Sequence, residues 1–218
     1  MQLKTKILVV DDHPLVREWL TNLLNEEPDM AVCGGAGSAA EALGMLEQFL
    51  PEVAIVDISL GGGSGLELVK DIKAIKPDVR TIVLSMHDEL QYAERAMRAG
   101  AVGYIMKREA TDKVLTAVRT VLAGSLFFSN AVNAMVAQRL VLGAGDHRDA
   151  MATLSDRELE VFQLLGRGQS TRQIAEHMHV GFKTVHAYCA RVKEKLNLDS
   201  LNELVFYAIR WHEKQEPQ

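Results

Sequence analysis

Residues 7–14 read Ile7-Leu8-Val9-Val10-Asp11-Asp12-His13-Pro14, four apolar residues running straight into two adjacent carboxylates. Four apolar positions without polar alternation suit a strand buried on both faces, as in a parallel sheet. Pro14 suits the first turn of a following helix, where its missing N–H costs nothing. The two acids then stand at the carboxyl end of a strand, the edge at which open α/β sheets gather their ligands. Taken alone, the pair also fits one acid capping the helix and the other in solvent.

Working outward, the apolar run recurs at Met30–Cys33, Val53–Val56, Ile82–Leu84 and Val102–Met106. Helical periodicity fills the gaps: Trp19, Leu20, Leu23 and Leu24, then Ala39–Phe49, Leu66–Ile75, Leu90–Ala99 and a closing helix near Asp112–Ala123. The alternation predicts a doubly wound (βα)5 domain of the α/β class, its parallel sheet covered on both faces, with strand order 2-1-3-4-5. Asp57 ends the run VAIVD, Ser85 ends TIVLS and Lys107 ends GYIMK. On a parallel sheet these ends share one edge, so Asp11, Asp12, Asp57, Ser85 and Lys107 converge. Three carboxylates tolerate one another when they share a hard divalent cation, and an all-oxygen set fits Mg²⁺. Beside such a cation one carboxylate can act as a nucleophile and become an acyl phosphate. Lys107 would pair with the phosphoryl oxygens and Ser85 would hydrogen-bond one of them.

Two rival uses of these residues fail. A phosphate-cradling P-loop needs a glycine-rich turn ending in Gly-Lys-Ser/Thr, and residues 61–67, GGGSGLE, lack the lysine. A phosphatase of the haloacid dehalogenase kind needs a second Asp two positions after the nucleophile, where this chain has Ser59.

The chain has 218 residues, enough for two modest domains. No apolar run approaches the roughly 18 residues of a membrane span, and the first residues lack the pattern of a secretory signal, so the expectation is a cytoplasmic protein without a membrane partner. Cys33 and Cys189 lack metal-ligand spacing and leave a disulfide framework nothing to build on. The net charge of −5 lies in residues 1–123, with 13 Lys+Arg against 18 Asp+Glu, whereas residues 151–218 balance at 9 against 9. A generally basic nucleic-acid coat is therefore absent, and any DNA binding must come from a local patch.

From residue 124 to 153 the pattern loosens into a linker holding one helix near Ala131–Leu142, with Gly143–Thr153 reading as mobile. Beyond it the period is purely helical. Ser155 with Glu158, Ser170 with Gln173, and Ser200 with Glu203 are three capping boxes. They start helices near Asp156–Leu165, Thr171–Met178 and Leu201–Trp211, with Phe182–Leu196 between the last two. The short turn HVGFK, containing Gly181, has the length and composition of a helix-turn-helix. Within Phe182–Leu196, Val185, Cys189, Val192 and Leu196 recur at core spacing. The opposite face presents Lys183, Ala187, Ala190 and Glu194, flanked by His186 and Arg191. Small residues let such a helix enter a major groove while flanking cations meet phosphates. Lys183, Thr184, His186, Ala187, Ala190, Arg191 and Lys195 are the candidate DNA contacts. Lys183, Arg191 and Lys195 are assigned chiefly to phosphates, and His186, Ala187 and Ala190 to base edges. One small reading helix specifies few base pairs, so a homodimer on double-stranded DNA is expected. Leu201, Leu204, Val205, Ala208 and Ile209 of the last helix are its candidate contact, although each taken singly better suits the domain's own core.

The joint spacing of Asp11-Asp12, Asp57 followed by ISLGGGSG, Ser85 and GYIMK over residues 4–123 resembles a response-regulator receiver domain. The stretch LSDRELEVFQLLGRGQSTRQIAEHMHVGFKTVHAYCARVKEKL, within residues 154–215, resembles the LuxR-type DNA-binding domain. Their pairing is similar to the NarL/FixJ group of two-component regulators. The resemblance implies Asp57 as phospho-acceptor served by a sensor histidine kinase. It implies Asp11, Asp12, Asp57 and the backbone carbonyl of Ser59 as Mg²⁺ ligands, Lys107 as phosphate-binding lysine, and Ser85 with Tyr104 as a switch pair. It also implies a transcription regulator rather than an enzyme. Gly61 stands where the family usually has proline, which should loosen the loop after Asp57, and Arg108 where proline is frequent. Gly181, His186 and Tyr188 depart from common residues of the reading helix, so the target sequence is not transferable. A regulator working without phosphorylation, and a metal-dependent phosphohydrolase, are the alternatives. The intact acids and Lys107 stand against the first, and the helical domain, which would have no role, against the second.

Overall fold

The structure, a computed structural model, describes residues 4–60, 63–142 and 150–213. Gly61 and its expected loosening effect fall outside the described residues, as does most of the Gly143–Thr153 stretch. The chain divides into two compact units, Met1–Gly143 and Ala144–Gln218.

In the first unit β1 (Thr5–Val10), α1 (Pro14–Asn25), β2 (Met30–Ala36), α2 (Ala39–Phe49) and β3 (Val53–Asp57) alternate as expected. A small antiparallel hairpin then intervenes, β4 (Ser59–Leu60) with β5 (Gly63–Ser64). The alternation resumes with α3 (Gly65–Ile75), β6 (Arg80–Ser85), α4 (Glu89–Ala99), β7 (Gly103–Met106) and α5 (Ala110–Leu122). The five long strands pair in parallel in the order β2-β1-β3-β6-β7. Leaving the hairpin aside, this is the order 2-1-3-4-5 read from the sequence. Ile7, Leu8, Val9 and Val10 are all buried. Ile7 and Val9 belong to a core shared with Leu20 and Leu24 of α1 and Val114 and Val118 of α5. Both faces of β1 are covered, which explains why its apolar run does not alternate.

The segment after α5, read as the start of a linker, docks onto the first unit. Phe127 bridges Gly103; its N–H donates to Val102 O at 2.9 Å and its carbonyl accepts from Tyr104 N at 2.9 Å. Phe128 and Val132 are buried, Ser129 N donates to Glu89 Oε1 at 2.9 Å, and α6 (Asn130–Leu142) packs against α4. β7 is an edge strand with unpaired backbone groups, and this stretch supplies the cover that such an edge needs.

The second unit holds α7 (Asp156–Gly166), α8 (Thr171–His177), α9 (Phe182–Leu196) and α10 (Leu201–Glu213). Ser155 and Ser170 form full capping boxes. At the third, Glu203 N donates to Ser200 Oγ at 3.1 Å, but Glu203 Oε2 accepts from Asp199 N, one residue earlier than in a box. Phe162 of α7 meets Tyr207 and Trp211 of α10, with ring centroids 5.9 and 5.5 Å apart. Gly166 permits that packing, because a Cβ there would lie 2.7 Å from Ala208 O. In the turn between α8 and α9 the left-handed residue is His179, with φ of 51°, not Gly181, which caps α9 in extended backbone.

Candidate functional site

The strand ends bring the first cluster together. Asp11 and Asp57 are buried, and Lys107 Nζ lies 2.7 Å from Asp11 Oδ2 and 2.8 Å from Asp57 Oδ2. One ammonium thus bridges two acids far apart in sequence, which offsets the cost of burying their charges. Burial pushes the Asp57 carboxyl up to about 7 against the pull of Lys107, with the negative charge of Asp11 adding to the rise. For Lys107 burial acts downward, but the two acids outweigh it and hold the ammonium above the ordinary lysine value.

Asp12 completes the pocket, together with His13, which the sequence reading left without a role. One ligand atom from each of Asp11, Asp12, His13 and Asp57 falls within 4.8 Å of the others. Asp11 Oδ2 and Asp12 Oδ1 are buried and accept no hydrogen bond. Lys107 and His13 approach them only at ion-pair distance. Buried carboxylate oxygens of this kind, with a third acid beside them, have the chemistry that suits a hard cation. Asp11 Oδ1 also accepts from His13 N at 2.9 Å, so this acid steadies the entry to α1 as well.

The loop after Asp57 turns back under a tight constraint. Ser59 N donates to Asp57 Oδ1 at 3.3 Å, and Gly65 N donates to Ile58 O at 2.7 Å. A Cβ on Gly65 would lie 1.8 Å from Asp57 O, so only glycine allows this return. Ser85 and Tyr104 meet through His87, a residue that no periodicity or spacing singles out. Ser85 Oγ accepts from His87 N at 3.0 Å, and the Tyr104 hydroxyl donates to His87 O at 2.9 Å. The His87 ring stacks on Tyr92 and its Nε2 lies 3.2 Å from Ser59 Oγ. Burial raises the Tyr104 phenol, so it stays protonated.

The second cluster is a single helix face. On α9, Val185, Cys189 and Val192 are buried, and Lys183, Thr184, His186, Ala187, Ala190 and Arg191 are exposed. Phe182 packs edge-on against His186 at 4.3 Å, and the Arg191 guanidinium lies 5.8 Å from the Tyr188 ring centroid. Lys195, expected to contact phosphate, is engaged within the protein. Its Nζ lies 2.6 Å from Glu158 Oε2 and donates to Thr153 O at 3.1 Å, which ties α9 to the start of α7. At the far end of the core-facing stripe it is captured by a buried carboxylate. On α10, Leu204 and Ala208 are core residues, Val205 and Ile209 are half-buried, and Phe206 is 70% exposed. Phe206 thus joins the candidate contact surface that the sequence reading assigned to its neighbours.

Residues 7–119 match the family model of the response regulator receiver domain, and residues 152–208 that of the bacterial regulatory proteins of the luxR family. The chain is a LuxR-type response regulator. This regulator is 35% identical over 210 residues to the oxygen regulatory protein NreC of Staphylococcus carnosus, covering 94% of this chain and 97% of that one. It is 38% identical over 203 residues to the transcriptional activator protein ExaE of Pseudomonas putida, covering 93% and 95%. Among solved structures it resembles a LuxR-family two-component response regulator from Aurantimonas sp. SI85-9A1, at 30% identity and a TM-score of 0.58 over 64% of this chain and 99% of that one. No helix among the described residues of the regulator is long and apolar enough to cross a membrane.

Proposed function

We propose that this regulator receives a phosphoryl group on Asp57 from a partner histidine kinase and thereby changes how its LuxR-type domain, residues 154–215, binds double-stranded DNA. The observation that carries the reading is Lys107 bridging the buried Asp57 and Asp11 beside Asp12. In the transfer an Asp57 carboxylate oxygen forms the bond to phosphorus while the phosphorus–nitrogen bond of the donor phosphohistidine breaks. Asp11, Asp12, Asp57 and the Ser59 carbonyl would hold Mg²⁺, which when bound neutralises phosphoryl oxygens. Lys107 releases the carboxylate and pairs with the phosphoryl group, and Ser85 turns to hydrogen-bond it. Because Ser85 and Tyr104 both contact His87, movement of Ser85 is felt at Tyr104 on the edge strand. The phosphoryl group stays on the protein, so the chain acts as a regulator and not as an enzyme.

On DNA, His186, Ala187 and Ala190 read base edges while Lys183, Thr184 and Arg191 hold phosphates, and two copies assemble through α10 onto paired half-sites. A cytoplasmic location suits a regulator that meets both a kinase and DNA. Wild type and Asp57→Asn, treated with acetyl phosphate and Mg²⁺ and weighed intact, test the acceptor. Wild type gains one phosphoryl mass, and an equal gain on the variant removes the assignment. Gel shifts on genomic fragments with and without the phosphodonor test the coupling to DNA.

A further inference from the structure

We propose that His13 adds a nitrogen donor to Asp11 and Asp12, so that the acceptor pocket takes a divalent first-row transition-metal ion more tightly than its acids alone would. His13 Nδ1 lies 2.7 Å from Asp12 Oδ1 and 3.3 Å from Asp11 Oδ1. Neighbouring ligands of an octahedral ion with bonds of about 2.1 Å stand about 3 Å apart, so His13 Nδ1 stands at ligand-to-ligand distance from an oxygen of each acid. The backbone that carries the ring is held in place. His13 N donates to Asp11 Oδ1, and its carbonyl accepts from the amides of Val16 and Arg17 in the first turn of α1. Arg17 in turn donates to Asp11 O at 2.5 Å, which fixes the acid from the other side. The His13 side chain is 60% exposed, so the nitrogen stands at the mouth of the pocket, where an ion from solvent meets it first.

A nitrogen ligand separates two classes of ion. Mg²⁺ prefers oxygen ligands and retained water and gains little from imidazole. Affinity for nitrogen-containing sites rises from Mn²⁺ through Ni²⁺. A plain ion pair between a protonated His13 and the acids predicts something different: removing it would strengthen binding of every cation alike.

The inference rests on the reading that the acids bind a divalent cation, and the test keeps the two apart. Mg²⁺ and Ni²⁺ are titrated calorimetrically into the full chain and into His13→Asn and His13→Ala, counting only the Ni²⁺ that excess Mg²⁺ displaces. In both variants Ni²⁺ affinity is expected to fall about tenfold or more while Mg²⁺ affinity changes less than about threefold. Pulsed electron paramagnetic resonance of the Mn²⁺-loaded wild type is expected to show coupling to nitrogen that both variants lose. Equal changes for the two ions, or no nitrogen coupling in wild type, would overturn the role of His13 and leave the acid site standing. A wild type that binds no Mg²⁺ would overturn both.

Discussion

The acid pocket at the sheet edge and the exposed face of α9 both depend on a few cations, but they are built in opposite ways. In the pocket, side chains from the ends of β1, β3 and β7 meet under cover, and the ammonium of Lys107 is shared between Asp57 and Asp11. On α9 the residues come from consecutive turns of one helix and stand exposed. A buried charge has to be compensated within the protein, whereas an exposed one is left for a partner to neutralise. Lys195 shows the boundary between the two. It sits on α9 by sequence but is compensated by Glu158, as a pocket residue is.

The largest effects are expected in the pocket. Gly65→Ala places a Cβ against the Asp57 carbonyl, so the hairpin must open; phosphoryl labelling should vanish and the first unit should unfold at markedly lower urea, by about 3 kcal/mol or more. An unshifted urea midpoint would mean that the loop relaxes easily. Lys107→Ala leaves two buried acids facing each other and is expected to cost about 3 kcal/mol in chelator.

Lys195→Ala sharpens the comparison. As a compensated residue it should cost the second unit about 1–2 kcal/mol, its pair with Glu158 being partly screened by solvent. It should leave the slope of log DNA affinity against log salt unchanged. Burial acts upward on Glu158, but Lys195 and Ser155 outweigh it and hold the carboxyl below the ordinary glutamate range. Its contribution is therefore complete above an unfolded value of about 4.3 and is lost as pH falls through the folded one. Acid unfolding of the second unit should show this loss below about pH 4 in wild type, and Lys195→Ala should flatten it.

Lys183→Ala and Arg191→Ala are expected to do the reverse: little change in stability and a salt slope shallower by about one unit each. A flattened slope in Lys195→Ala and unchanged slopes in these two would invert the division between compensated and exposed cations. The smallest effect belongs to Ala187→Val, which should alter base preference in a competition among randomised sites while stability and salt slope stay near wild type.

Much of this was legible in advance. The runs Ile7–Val10 and Val53–Val56 mark strands because β-branched and aliphatic residues without alternation fit a doubly covered sheet, and the acids at their ends follow from sheet geometry. Val185, Cys189 and Val192 mark the buried face of α9 through the helical period alone. His87, the docking of Phe127 and Val132, and the capture of Lys195 carried no such signal. Each depends on a partner at long sequence distance, on β4, β7, α4 or α7.

By itself the sequence determined the elements, their order in the sheet and which charged residues share an edge, because hydrophobic period and capping residues act locally and parallel strands align their carboxyl ends. Only the tertiary structure decided which of those charges are compensated. Lys107 faces into a buried pocket of acids, Lys195 turns back to Glu158, and His13 points at Asp11 and Asp12. An ion pair forms where two chain segments bring opposite charges within a few ångströms, and that distance is set by packing rather than by position along the chain.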